Sequence, residues 1–224
     1  MGPSLLPMEM ETGLAVLHLF GKVDAAVDRE AAIGAVKAAE GDGCQVVTAA
    51  MLGHKADLCV MALGPAWPTL RALQTALQGA GVVTVDSYVS ITEVSEYAKG
   101  MPEHMLRARL YPQLPPEGLD TFCFYPMSKR RAGHANWYAT PYEDRHAMMM
   151  EHGASGRAFA GQVVQLVTGS TGLDDHEWGV TLFAANPEVV KNVVYTMRFD
   201  QGSALYGEFG RFYVGYLADL AQVI

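Results

Sequence analysis

Thr121-Phe122-Cys123-Phe124-Tyr125-Pro126-Met127-Ser128-Lys129-Arg130-Arg131 starts as an apolar strand and ends in three cations. Residues two apart in an extended chain share a face. Cys123, Tyr125, Met127 and Lys129 therefore point one way, and Phe122 and Phe124 the other. The strand 121–127 also begins a repeat. A helix follows from Pro141, which is tolerated in a first helical turn. Strands are expected at 162–168 and 177–183, a helix at 187–197, and a last strand within 204–216.

The first half carries the same order. Strand 14–20 precedes a helix over 24–40, which ends at Gly41-Asp42-Gly43. Strands 45–52 and 57–63 are joined by a Gly53-His54-Lys55 turn. Pro65 and Pro68 punctuate the entry to a helix over 68–78, and a strand rich in Val, Thr, Tyr and Ile covers 82–94. Two copies of βαββαβ imply two ferredoxin-like halves. Such halves close face to face into an α+β barrel with a cavity between helices and sheet. The expected division is an N-terminal half at 1–100, a proline-marked linker at 101–120 and a C-terminal half at 121–224.

Composition narrows the function. The chain has 224 residues, half of them apolar, enough for a substantial core. A net charge of -8 disfavours general binding to nucleic acid or anionic membranes, so an anionic ligand needs a local basic cluster. No apolar run is long enough to cross a membrane. Three cysteines without C-x-x-C, and no secretory start, indicate a cytoplasmic protein with reduced thiols. Met1-Gly2 is a weak myristoylation signal beside Pro3. Arg107, Arg109, Lys129, Arg130, Arg131, Arg145, Arg157 and Arg198 are a large share of the 16 Lys and Arg, and guanidinium forks suit carboxylates.

Taken singly, the candidate residues stay ambiguous. Tyr125 is either a redox-active phenol or a strand tyrosine with its hydroxyl at a rim. His152 shares a helix face with Arg145, Met149 and Gly156. It is either an axial metal ligand, with Gly153 admitting a flat group, or an ordinary helix-end histidine. Gln165 lies on one strand face with Val163 and Val167 and binds a ligand or faces solvent. Asp174-Asp175-His176-Glu177 reads as turn chemistry before it reads as a metal site. Gly169-Ser170-Thr171-Gly172 lacks G-K-[ST] and is not a nucleotide loop. Zinc, covalent haem attachment and a Ser-His-Asp triad have no motif support.

Together the motifs do more. Phe124-Tyr125-Pro126-Met127-x-Lys129-Arg130-Arg131, Asn136-Trp137-Tyr138, Glu151-His152-Gly153-x-x-Gly156-Arg157, Thr168-Gly169-Ser170-x-Gly172-Leu173-Asp174-Asp175-x-Glu177-Trp178-Gly179, Met197-Arg198-Phe199-Asp200 and Gly207-Glu208-Phe209-Gly210 resemble the chlorite dismutase-like superfamily. The likeness is greatest to its coproheme decarboxylase branch with a distal glutamine. The first half matches mainly in architecture and in Gly53-His54-Lys55-Ala56-Asp57.

The resemblance implies hydrogen peroxide-driven conversion of Fe-coproporphyrin III (coproheme) to haem b through a three-propionate intermediate. The porphyrin is both substrate and cofactor. His152 matches the axial iron ligand, Tyr125 the radical-forming tyrosine, and Lys129 the lysine that assists the second decarboxylation. Arg109, Arg198 and Ser203 match propionate-binding positions, and Met127 lines the same site. Gln165 stands where chlorite-degrading members carry arginine. The resemblance further implies a homopentamer and a transient contact with a coproporphyrin ferrochelatase. A chlorite-degrading or peroxidase-like haem enzyme and a haem carrier are the alternatives; a carrier leaves Tyr125 and Lys129 without a task. His176, Thr196 and Gln201 depart from the usual Trp, Glu and Glu of the family.

Overall fold

The computed structural model describes residues 8–98 and 100–224, so Met1-Gly2 lies outside the described residues. The N-terminal half runs β1 (Ala15–Lys22), α1 (Arg29–Gly41), β2 (Gln45–Met51), β3 (Leu58–Gly64), α2 (Trp67–Gly79) and β4 (Val83–Thr92). Its antiparallel strand order is β2-β3-β1-β4, that of a ferredoxin-like sheet. Helix α1 begins at Arg29, later than the periodicity suggests, because Asp28 caps it by accepting from Ala31 N. Asp24 spends its carboxylate on a local turn to Ala26 N.

The segment expected as a linker contains a helix, α3 (Glu103–Leu110), and a 3-10 turn at Glu96–Ala98 lies just before it. The C-terminal half then runs β5 (Thr121–Lys129), a small hairpin of β6 (Arg131–Ala132) and β7 (Ala135–Asn136), α4 (Tyr142–Arg157), β8 (Val163–Gly169), β9 (Trp178–Ala184), α5 (Pro187–Met197), α6 (Gln201–Tyr206), β10 (Gly207–Phe209), β11 (Tyr213–Leu217) and α7 (Leu220–Val223). Here β8-β9-β5 continues into β10 and β11, again the ferredoxin-like order. The halves join through β4–β8 and β11–β2, which closes the sheet into a barrel.

Strand alternation sorts the core into layers. Val16, Phe20, Met61, Phe122, Phe124, Leu166 and Phe183 fill the barrel. Leu17, Leu19, Leu58 and Val60 point outward beneath α1 and α2. In the C-terminal half the outward residues Cys123, Tyr125, Val180 and Leu182 lie under Val189, Val190, Val193 and Met197 of α5.

Two differences from the expected pattern matter for the site. Residues 204–206 are helical rather than strand, because Asp200 accepts from Ser203 N and caps α6. The last strand is also broken. Phe209 pairs with Met127 and Tyr213 pairs with Phe124, so 210–212 face only residues 125–126. This one-residue bulge sits opposite Pro126, which has no N–H to give the ladder, and Gly210 N donates to Pro126 O at 2.8 Å. The extra residue places Phe209 and Phe212 on the outer face while Tyr213 enters the barrel.

Candidate active site

The bulge builds the surroundings of Tyr125. Its ring stacks on Phe212 with centroids 4.4 Å apart and meets the edge of Phe209 at 5.8 Å. Tyr125 is only 5% exposed. Burial raises its phenol well above the ordinary value, nearby Cys123 adds to this, and Arg198 acts against it. No hydrogen bond to the Tyr125 hydroxyl occurs among the described residues. Burial thus holds the phenol neutral.

Lys129, at the end of the same strand, is buried. Its Nζ donates to Gly202 O at 2.7 Å and lies 4.5 Å from the Trp137 ring centroid. Burial lowers the ammonium to about 8, opposed by the charges of Asp200 and Glu177. The buried Glu177 carboxylate also accepts from Lys129 N at 2.8 Å, so one acid fixes the backbone here.

His152 projects from α4, with its side chain 25% exposed. Its Nδ1 stands 2.9 Å from the buried Asp200 Oδ2, and Nε2 makes no hydrogen bond among the described residues. A neutral imidazole that donates from Nδ1 to a carboxylate presents a basic Nε2 to a metal. A methyl added at Gly153 would meet nothing nearer than Arg157 Nη1 at 3.6 Å, so the helix surface next to His152 in sequence is uncrowded. These residues fit an iron porphyrin ligated by His152.

Residues 198–203 gather the site. Arg198 lies over Phe209 at 5.0 Å, Asp200 holds His152, and Gly202 holds Lys129. Ser203 Oγ donates to Asp200 Oδ2 at 3.1 Å. Met127 packs against the outer-face cluster that contains Tyr125. Gln165 is exposed on the outer face of β8. The register aligns Gln165 with Leu182 and Cys123, and Val167 with Val180 and Tyr125. Gln165 therefore sits one row along from Tyr125 and two strands across, with β9 between them. Arg109 is exposed on α3, and no hydrogen bond or ion pair among the described residues joins it to this cluster.

Asp200, Glu177, Trp137 and the Phe209–Phe212 pair carry positioning roles that the motif reading left unassigned. Of the family departures, His176 Nδ1 lies 3.3 Å from Ser128 Oγ, beside Lys129. Thr196 lines an open concavity between α4 and α5, and Gln201 N donates to Glu151 Oε2. Asp174 takes up turn and backbone bonds, accepting from Val89 N and Asp175 N, and no metal-binding group of acids, Cys and His occurs among the described residues.

Fold and site together define a closed α+β barrel protein whose C-terminal half gathers, on the outer side of the sheet, a carboxylate-backed histidine, a boxed phenol and a buried lysine. The chain belongs to the chlorite dismutase family, whose model matches residues 22–218. Over 175 residues it is 45% identical to a coproheme decarboxylase of Staphylococcus carnosus, covering 74% of this chain and 70% of that protein. A solved haem-binding protein from Thermus thermophilus is 35% identical, with a TM-score of 0.83 over 97% of this chain and 96% of that one. A variant chlorite dismutase from Candidatus Nitrospira defluvii, 20% identical, superposes with a TM-score of 0.78 over 96% and 95% of the two chains and shares the fold.

Proposed function

We infer that this protein is a coproheme decarboxylase that uses hydrogen peroxide to convert Fe-coproporphyrin III to haem b. The observation that carries the reading is the convergence of His152 and Lys129 on the 198–203 segment, with Tyr125 linked to it through Phe209, in a chain 45% identical to an enzyme of that name. For each of two propionates, one carboxylate, one peroxide and one proton give one vinyl, one carbon dioxide and two waters. The bound iron porphyrin, with peroxide, supplies the two oxidising equivalents.

The residue roles follow from chemistry. His152 ligates iron through Nε2, and Asp200 fixes its tautomer. With peroxide as oxidant, Tyr125 would pass its phenolic hydrogen to the oxidised porphyrin site and take one from the propionate carbon next to the ring. The carbon–carboxylate bond would then break to leave the vinyl and carbon dioxide, the second electron passing to the same oxidant, which ends as water. Lys129 pairs with the propionate of the second step. Arg109 and Arg198 bind the remaining carboxylates. Ser203 offers its hydroxyl to a propionate in competition with Asp200. Met127 packs on the ring, and Gln165 faces the side opposite His152, where its amide suits peroxide but lacks the charge of an arginine.

A homo-oligomer, a pentamer by family resemblance, a cytoplasmic location and a transient contact with the enzyme that inserts iron complete the reading. No helix among the described residues is long and apolar enough to cross a membrane. The test mixes purified protein with ferric coproheme and titrates peroxide while following porphyrin mass. Two successive losses of carbon dioxide plus two hydrogens are expected. Tight binding without mass change would make the protein a carrier.

A further inference from the structure

We propose that Lys55, in the N-terminal half, is a positioning residue for Tyr125, acting through the bulge carbonyl and ring of Phe212. The inference rests on the decarboxylase reading of Tyr125 and extends it to the half of the chain that carries no porphyrin ligand.

The turn between β2 and β3 is built to project this lysine. Gly53 has a φ of +91°, which favours glycine. Ala56 is fully buried and anchors the turn on the barrel. Asp57 clasps the other side, accepting from Lys22 Nζ at 2.8 Å and Val23 N at 3.2 Å. Leu52 N donates to Val214 O at 2.8 Å, which brings the turn against the last strand. From there Lys55 Nζ donates to Phe212 O at 2.6 Å and stands 5.9 Å from the Tyr213 ring.

Phe212 lies in the bulge, where its carbonyl is outside the strand ladder. At this exposed position either water or a side chain can be its donor. Lys55 supplies it, and a charge-assisted bond is stronger than a neutral one. The Phe212 ring is stacked on Tyr125 at an interplanar angle of 21°. A bulge free to relax would change that contact and thereby the alignment of the phenol with its substrate. Small misalignments of reacting groups slow a reaction without weakening binding.

The test places 3-fluorotyrosine at position 125 and records 19F NMR spectra of the full chain without porphyrin. Lys55→Met is expected to move and broaden the resonance, because the ring current of Phe212 shifts. Lys55→Arg should restore the original position, and Lys55→Gln should restore it in part. Phe212→Leu, with Lys55 intact, should displace the resonance at least as far as Lys55→Met. With ferric coproheme and peroxide, Lys55→Met should keep its affinity within about twofold and slow the first decarboxylation about fivefold, the size set by one net hydrogen bond. An unmoved resonance in cooperatively folding Lys55→Met or Lys55→Gln overturns the proposal. So does a shift that Lys55→Arg fails to reverse. Absence of decarboxylation by the wild-type protein would overturn the functional reading alone, because the spectrum of the porphyrin-free chain is independent of turnover.

Discussion

His152 Nδ1 and Asp200 Oδ2 are 2.9 Å apart, and the same aspartate caps α6 by accepting from Ser203 N at 2.8 Å. One buried carboxylate thus orients the candidate iron ligand and fixes the short helix whose Gly202 carbonyl receives Lys129. Mutations at Asp200 should separate these tasks. Asp200→Asn keeps a good helix cap but loses the charge that strengthens the imidazole donor. Coproheme affinity should fall about 10- to 100-fold, with a lower iron–histidine stretching frequency by resonance Raman. Asp200→Ala should show the same defect and lose about 1 kcal/mol of stability with the cap. His152→Ala should lose the axial bond outright, seen as an altered absorption spectrum; an unchanged spectrum would remove His152 from the site.

Tyr125→Phe is expected to keep the box and remove the chemistry. The hydroxyl has no hydrogen bond among the described residues, so deleting it should change stability by less than about 0.5 kcal/mol. The rings of Phe209 and Phe212 still have a partner of the same shape. Coproheme binding should persist, while decarboxylation slows by at least about 100-fold, the low end of what a positioned proton-transfer group contributes. Porphyrin mass against peroxide equivalents measures both. Normal turnover would sink the role given to Tyr125.

Lys129 should confer a pH dependence on the second decarboxylation. Burial lowers its ammonium to about 8, so the charge proposed to pair with a propionate is present below that pH and lost above it. A bound carboxylate stabilises the ammonium and moves the inflection upward. The second step should therefore decline at or above about pH 8, with the three-propionate intermediate accumulating. Lys129→Arg stays charged and should lose the inflection. Lys129→Met should accumulate the intermediate at every pH. Identical pH profiles for wild type and Lys129→Arg would reject the assignment.

The fold was legible because its signals are local and repeated. Strand 45–52 and helix 187–197 announce themselves by period and punctuation, and two equal orders of elements imply two equal halves. The faces of β5 were legible too, since alternation alone puts Tyr125 and Phe124 on opposite sides. The bulge at 210–212 was not, because it exists only in the register of one strand against Pro126 of another. Asp200 was visible only as a letter in a motif; its bond to His152 spans 48 residues. Lys55 reaches Phe212 across 157 residues, a separation at which sequence pattern carries no contact information.

The barrel interior holds one group that should govern acid stability. His18 is completely buried between Phe20 and Phe124, with Nε2 3.0 Å from Thr181 Oγ1 and Nδ1 without a partner among the described residues. Burial lowers its pKa from 6.5 to about 3. The unfolded chain then binds a proton below about pH 6.5 that the folded chain refuses. This stabilising contribution is complete above pH 6.5 and is lost progressively as pH falls toward 3, by about 1.4 kcal/mol per unit. His18→Gln keeps a partner for Thr181 but cannot titrate. Urea unfolding of both proteins, porphyrin-free and at one protein concentration, should give curves that diverge below pH 6.5. Between about pH 6.5 and 5.5 the wild type should lose about 1 kcal/mol more than the variant. Carboxylates and the other histidines titrate in both proteins and cancel in the difference. Parallel losses over that interval would mean that His18 takes up its proton inside the barrel without cost.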